Sequence, residues 1–478
     1  MDHHSPPPNV VQTEGRSSAP ASTRLPPETL YNIFQYFCSH CCNEHQWPFG
    51  PLPGSEKAQD NKTLYNICLV SRSFRNVAQE TLFHSFDPKY VHPWVPEPRR
   101  MWESRLEPFL RTVASRSDLA RSVRALHLQR LLMYTLDVDQ SRQAFDDCLH
   151  ALGSSRNDVF PPDYDLLPYS LKHAQLLPEP AFWPYPGQDL PPPHAIELLS
   201  VAVAILPNLA HVAIEGSPPT AFRWLWDVSP LILDKLGVDC TSIRTFESPH
   251  SSWNLLERSK NLETLVTIGY GDFPDMPTVK HLHLRERVYF VETDLRKCIN
   301  ACSGSLVTLS AVDDSYFELF EAIDVPRIHD TLEVLHLDLF YVSYSEIPSL
   351  AKFSNLRELF LHAMSVYGVP PSNLVPYPPS RRFKRRLADT LPPNIVDLFI
   401  KNSGILQVFW EEELHQILQK KAVLAPKLQS VRTDSMIQRK DLAELFDGLG
   451  VKWVQQNLPR CNSNSTYRFV PVPPIVWW

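Results

Sequence analysis

A short unit, apolar-x-x-apolar-x-apolar, recurs along this chain and limits what it can fold into more than any other feature. Copies start at Val123 (VRALHL), Leu209 (LAHVAI), Val279 (VKHLHL), Leu332 (LEVLHL), Leu356 (LRELFL) and Ile395 (IVDLFI). Weaker copies start at Leu262, Leu306 and Leu428, and from residue 262 the starts are 17, 27, 26, 24, 39 and 33 residues apart. The last two apolar positions of a unit alternate with other residues, the period of a short strand. Helical stretches over Ala195–Leu206, Asp294–Cys302 and Glu411–Lys421 precede several copies. A single unit cannot bury its own apolar side chains, so the copies must stack on one another.

The pattern resembles irregular leucine-rich repeats, in which short parallel strands line one face and helices or loops the other. The expected fold class is therefore α/β: a small all-helical module followed by an irregular leucine-rich-repeat-like solenoid with short parallel strands over residues 119–478. A doubly wound α/β sheet would also accommodate spacings this ragged. If the leucines point inward, the residues between and after them face solvent. That places His127, His283, His336, Phe360 and Phe399 at one outward position, and Arg285, Asp338, His362 and Lys401 at the next. The expected partner-binding face is thus Arg285, His336, Asp338, Phe360, His362, Phe399 and Lys401, which combines aromatic anchors with both signs of charge. Metal binding is not expected there, because His283 and His336 fall about two strands, or roughly 10 Å, apart. Two segments interrupt the array. Residues 154–193 are too proline-rich for a helix or inner strand, and residues 368–386 carry the basic run Arg381–Arg386. Long loops of this kind often bind a partner.

The N-terminal part reads differently. Residues 1–23 are rich in Ser and Pro and form an expected disordered tail. A helix should start at Leu25-Pro26-Pro27-Glu28, because proline suits the first turn and Glu28 complements the positive helix end. Leu30, Ile33, Phe34 and Phe37 then make one apolar stripe. A loop follows over Ser39–Asn61, and a second helical segment carries Leu64, Ile67, Cys68, Val70, Phe74, Val77, Ala78 and Leu82. A linker helix is expected within residues 87–118, with Pro108 as a kink or boundary.

RLPPETLYNIFQYF followed by LYNICLVSRSFRNVAQETLF resembles the F-box, with its opening Leu-Pro-x-Glu and its Leu-Val-Ser-Arg-x-Phe-Arg segment. The resemblance spans residues 24–86 and is interrupted by the 39–61 loop. It implies binding to the Skp-type adaptor, and through it cullin, in a Skp–cullin–F-box ubiquitin ligase that receives an unknown protein substrate. The implied adaptor-docking stripe is Leu25, Pro26, Leu30, Ile33, Val70 and Phe74, with Ser71 and Arg72 shaping the second helix. Such a subunit is not an enzyme; it holds a substrate near the transferring enzyme. A scaffold that binds the adaptor without a cullin is the alternative, and an α/β enzyme a third.

Composition narrows the remaining classes. There are 14 Gly in 478 residues, leaving few loops able to cradle phosphate, and phosphate-binding, zincin and nucleophile-elbow motifs are absent. A net charge of −7 gives no drive toward nucleic acid or anionic membrane. Nine scattered cysteines and an N-terminus without an apolar signal segment lead us to expect a cytoplasmic or nuclear protein with reduced thiols. The segment CSHCCNEH, with Cys38, His40, Cys41, Cys42 and His45, is the one metal-like cluster. Structural zinc usually takes two separated ligand pairs, and no second pair follows, so a polar loop is expected, with no metal and no cofactor.

Overall fold

The structure, a computed structural model, describes residues 25–38, 40–41, 57–86, 105–128, 136–167, 193–214, 228–248, 253–267, 273–284, 295–312, 319–338, 349–363, 366, 387–401, 407–434 and 439–455. Its frame is one sheet of 12 strands in strict sequence order, every neighbouring pair parallel. The strands are β1 (Ser85–Phe86), β2 (Ala125–Leu128), β3 (His211–Ile214), β4 (Thr245–Glu247), β5 (Thr264–Thr267), β6 (His281–Leu284), β7 (Thr308–Val312), β8 (Val334–Asp338), β9 (Glu358–His362), β10 (Asp397–Lys401), β11 (Ser430–Thr433) and β12 (Lys452–Gln455). The order never reverses, unlike a doubly wound sheet, whose strand order switches at its centre.

Each of the nine recurring units supplies one strand, and the register aligns their inner positions. Leu359 lies beside Leu398 and Leu361 beside Ile400; Leu282 and Leu284 lie beside Leu309 and Ala311. These residues belong to one continuous apolar core reaching from Leu106 to Val451. Helices Pro193–Ile205, Leu295–Cys302 and Gln407–Gln419 contribute Leu198, Cys298 and Leu414 to the same core.

A backbone ladder runs along the leading edge of the sheet. The carbonyl just before one strand accepts from two N–H groups entering the next. His84 O takes Arg124 and Ala125 N–H at 2.8 and 3.0 Å, Arg124 O takes Ala210 and His211 at 2.8 and 2.9 Å, and Val396 O takes Gln429 and Ser430 at 2.8 and 3.1 Å. Groups that would otherwise be unpaired at strand entry are thereby satisfied. A polar side chain placed just before a unit adds a second tie. Asn208 Nδ2 donates to Arg121 O at 2.8 Å, Asn261 Nδ2 to Thr241 O at 3.0 Å, and Ser305 Oγ to Val279 O at 2.7 Å.

Among the described residues, three helices precede the array: α1 (Pro27–Gln35), α2 (Lys57–Val70) and α3 (Arg72–Leu82). Helix α1 opens on Pro27 with Glu28 in its first turn, as expected. The expected single second helix is in fact two, because Ser71 adopts an extended backbone and its hydroxyl accepts from Phe74 N–H at 3.2 Å. Helix α2 also starts at Lys57, inside the segment expected to be loop. The three helices share a small core of their own, Leu30, Phe34, Leu64, Cys68 and Ala78, with Phe37, Ile67, Phe74, Val77 and Leu82 packed against it.

Two further expectations are sharpened. Helix Leu106–Ser115 packs Leu106, Leu110 and Val113 into the main core, and Pro108 sits in its first turn, so of the two roles expected for it the structure has the boundary and not the kink. The start of the 154–193 segment is also ordered into the core. Tyr164 stacks on Phe160 at 4.0 Å, and its hydroxyl donates to Glu197 at 2.9 Å. The 1–23 tail, residues 168–192, the 368–386 loop and the Arg381–Arg386 run lie outside the described residues.

Candidate functional site

Two regions carry the residues singled out in the sequence. The first is the helical module. Leu25, Ile33 and Val70 are exposed at 53%, 42% and 66%, Pro26 is exposed, and Phe74 is half-buried. Leu30 is the exception, only 3% exposed within the module's core. Helical phase explains this. Leu30 and Phe34 are four residues apart on the inner face of α1, so Ile33 turns outward. Tyr36, Tyr65 and Leu69, not anticipated from the sequence, are also exposed. Among the described residues, six of the eleven exposed large hydrophobics, namely Leu25, Ile33, Tyr36, Tyr65, Leu69 and Val70, fall between residues 25 and 70. Scattered exposed apolar residues are ordinary, whereas a concentration in one small module points to a contact surface.

The second region is the sheet face opposite the leucines. The alignment read from sequence holds. His336 lies beside Phe360, Phe360 beside Phe399, and His362 beside Lys401. Their expected exposure does not hold. His336, Asp338, Phe360, His362 and Phe399 are buried, at 1%, 7%, 0%, 2% and 4%. Arg285 lies outside the described residues.

These side chains pack on one another across the strands. The His336 ring stacks on Phe360 at 5.6 Å with an interplanar angle of 12°, Phe360 meets Phe399 at 6.3 Å, and the Arg432 guanidinium sits 4.5 Å over the Phe399 ring. Glu358 accepts from His336 Nε2 at 2.8 Å. This bond holds its carboxyl below the usual carboxylate range against the opposing push of burial, with the His336 and Arg432 charges adding. Lys401 Nζ reaches across β9 to both Asp338 oxygens, at 2.9 and 2.7 Å. Earlier in the sheet, His211 pairs with the fully buried Glu247 at 2.6 Å, and His283 Nδ1 with Ser310 Oγ at 2.6 Å. The row is a buried polar and aromatic seam, with its polar members bonded across the strands as buried polar groups must be.

The thiols divide into two kinds. Cys298 and Cys302 are packed helix residues, as expected, and burial pushes the Cys302 thiol up to about 12. Cys38 behaves oppositely: hydrogen bonding to Cys41, reinforced by His40 and His84, holds it far below the ordinary thiol range despite burial. His84, 4% exposed at the end of the module, was not anticipated from the sequence. Cys42 and His45 lie outside the described residues.

No protein-family model matches the chain, and no curated protein matches it. No helix among the described residues is long and apolar enough to cross a membrane.

Proposed function

We propose that the chain is the substrate-recognition subunit of a Skp–cullin–F-box E3 ubiquitin ligase, a binding protein and not an enzyme. On this reading, residues 24–86 are an F-box that docks the Skp-type adaptor, and the strand array is a leucine-rich-repeat-like solenoid that holds a protein substrate. The observation that carries the proposal is the set of exposed apolar residues Leu25, Ile33, Leu69 and Val70 in the segment whose sequence resembles the F-box. Strands added one by one in sequence order support the solenoid, since each repeat then contacts mainly its neighbours. Ubiquitin transfer would gain from proximity alone, because a tethered substrate is held at high effective concentration beside the transferring enzyme. The docking set is Leu25, Pro26, Ile33, Val70 and the accessible part of Phe74, with Leu30 supporting them from inside. Phe360 and Phe399 underlie the array's strand face and do not themselves touch the substrate.

Leu25→Ala combined with Pro26→Ala should abolish co-purification of the adaptor while leaving the thermal transition of the array in place. Cullin should accompany the adaptor on the unaltered chain. Adaptor without cullin would instead indicate a scaffold outside the ligase, and undiminished adaptor capture by the double variant would remove the F-box reading.

A further inference from the structure

We propose that Cys38, His40, Cys41 and His84 form a structural zinc site that fastens the end of α1 to the first strand of the sheet. The sequence offers only the Cys38–Cys41 side of this arrangement, because His84 lies 43 residues beyond Cys41. In the fold, one ligand atom from each of the four residues lies within 4.8 Å of every other. Cys41 Sγ is 3.2 Å from His84 Nδ1, Cys38 Sγ is 3.7 Å from the same nitrogen, and Cys41 Sγ is 3.8 Å from His40 Nδ1. With Zn–S near 2.3 Å and Zn–N near 2.0–2.1 Å, tetrahedral coordination separates ligand atoms by roughly 3.3–3.8 Å. The observed spacings therefore suit a single ion bound by all four, after small adjustments.

The donor set agrees with the geometry. Two thiols and two imidazoles match zinc's preference, while the hard cations take oxygen ligands, and the cluster contains no carboxylate. Cys38 and His84 are each only 4% exposed, and His40 and Cys41 are half-buried, so the position is largely shielded from water. In the bound state both sulfurs would be thiolates and both imidazoles neutral, any proton still held by the four ligands passing to solvent, with no change of oxidation state.

The position also explains what the ion would accomplish. Among the described residues the three-helix module has only five buried apolar side chains in its core, and modules this small commonly need a covalent or metal staple. His84 is where such a staple is most effective. Its carbonyl forms the first rung of the backbone ladder, accepting from Arg124 and Ala125, while its side chain reaches back to the α1 end. One residue thus fixes the module to the array. The site does not depend on which partner the module docks.

The test is metal analysis of the full chain, purified under reducing conditions without chelator, together with cobalt substitution. About one zinc per chain is expected, and cobalt should give the intense visible bands of a tetrahedral ion plus sulfur-to-metal charge transfer. His84→Ala and Cys41→Ser should each weaken binding at least 100-fold. Because loss of either side chain can also loosen the fold, His84→Cys serves as the counterpart: it preserves a ligand and should retain one zinc. Less than about a tenth of an equivalent of zinc or cobalt would overturn the proposal. So would cobalt in an octahedral, oxygen-ligated spectrum, unimpaired binding by His84→Ala, or a Cys38–Cys41 disulfide persisting in the reduced preparation.

Discussion

Glu358 stands at the start of β9, one third exposed at its side chain, with His336 donating to it from the buried seam. Its carboxyl is held below its ordinary value near 4.5, chiefly by that hydrogen bond. A group whose pKa is lowered by folding stabilises the fold above its unfolded value, and the contribution disappears as pH falls through the folded value. Glu358→Gln should therefore lower the melting temperature most at pH 7, and the difference from the unaltered chain should shrink below pH 4.5. Melting curves between pH 7 and pH 4 measure this, and a difference independent of pH would mean that the carboxylate charge contributes nothing. Phe360 and Phe399 make a different residue-scale case, because each is a buried ring with ring neighbours. Truncating either to Ala removes a buried aromatic and leaves a cavity, at a cost of about 3 kcal/mol or more. Chemical denaturation should report that loss in each single variant. Near-zero cost would mean that the rings are accessible and available to a partner after all.

At the scale of elements, the leucine positions were legible because each unit carries its own period, and all nine units became strands. Three strands escaped. The β4 segment runs Ile243, Phe246, Ser248, so its third apolar position is a serine; β1 has Pro88 there, and β12 has Gly450 and Gln455 at the outer two. The exposure error on the seam had a visible warning. LFL at Leu359–Leu361 and LFI at Leu398–Ile400 are unbroken apolar runs, the signature of a strand buried on both faces rather than one. The asparagine tie was legible too, since Asn208, Asn261, Asn355 and Asn394 each stand immediately before a unit. No local rule could have brought His84 to Cys38, because that meeting depends on how three helices pack. The asparagine tie carries its own prediction. Asn261→Ala should cost on the order of 1 kcal/mol by leaving Thr241 O without its side-chain donor, whereas Asn261→Ser should recover part of the loss. Equal stability for both variants and the unaltered chain would make that contact incidental.

The described residues form two apolar cores of very different size, joined through β1 and through Phe83 and Phe86 packed on Phe109. One runs through the array from Leu106 to Val451; the other holds the five residues of the helical module. A core that large should fold without the module, since among the described residues the junction loses the two-residue pairing of β1 with β2 and the packing of Phe83 and Phe86 on Phe109. A fragment of residues 105–478 should keep a cooperative thermal transition, lowered by no more than about 5 °C, because a cost of a kcal/mol or two shifts a domain of this size by only a few degrees. The complementary fragment, residues 25–86, buries too little to be stable alone in metal-free buffer. It nevertheless contains Cys38, His40, Cys41 and His84, so one equivalent of zinc should convert a gradual melt into a cooperative one. Circular dichroism on both fragments, with and without zinc, separates the possibilities. An array fragment that fails to fold would show that the module nucleates the array. A module fragment equally stable with and without zinc would show that its small core needs no staple.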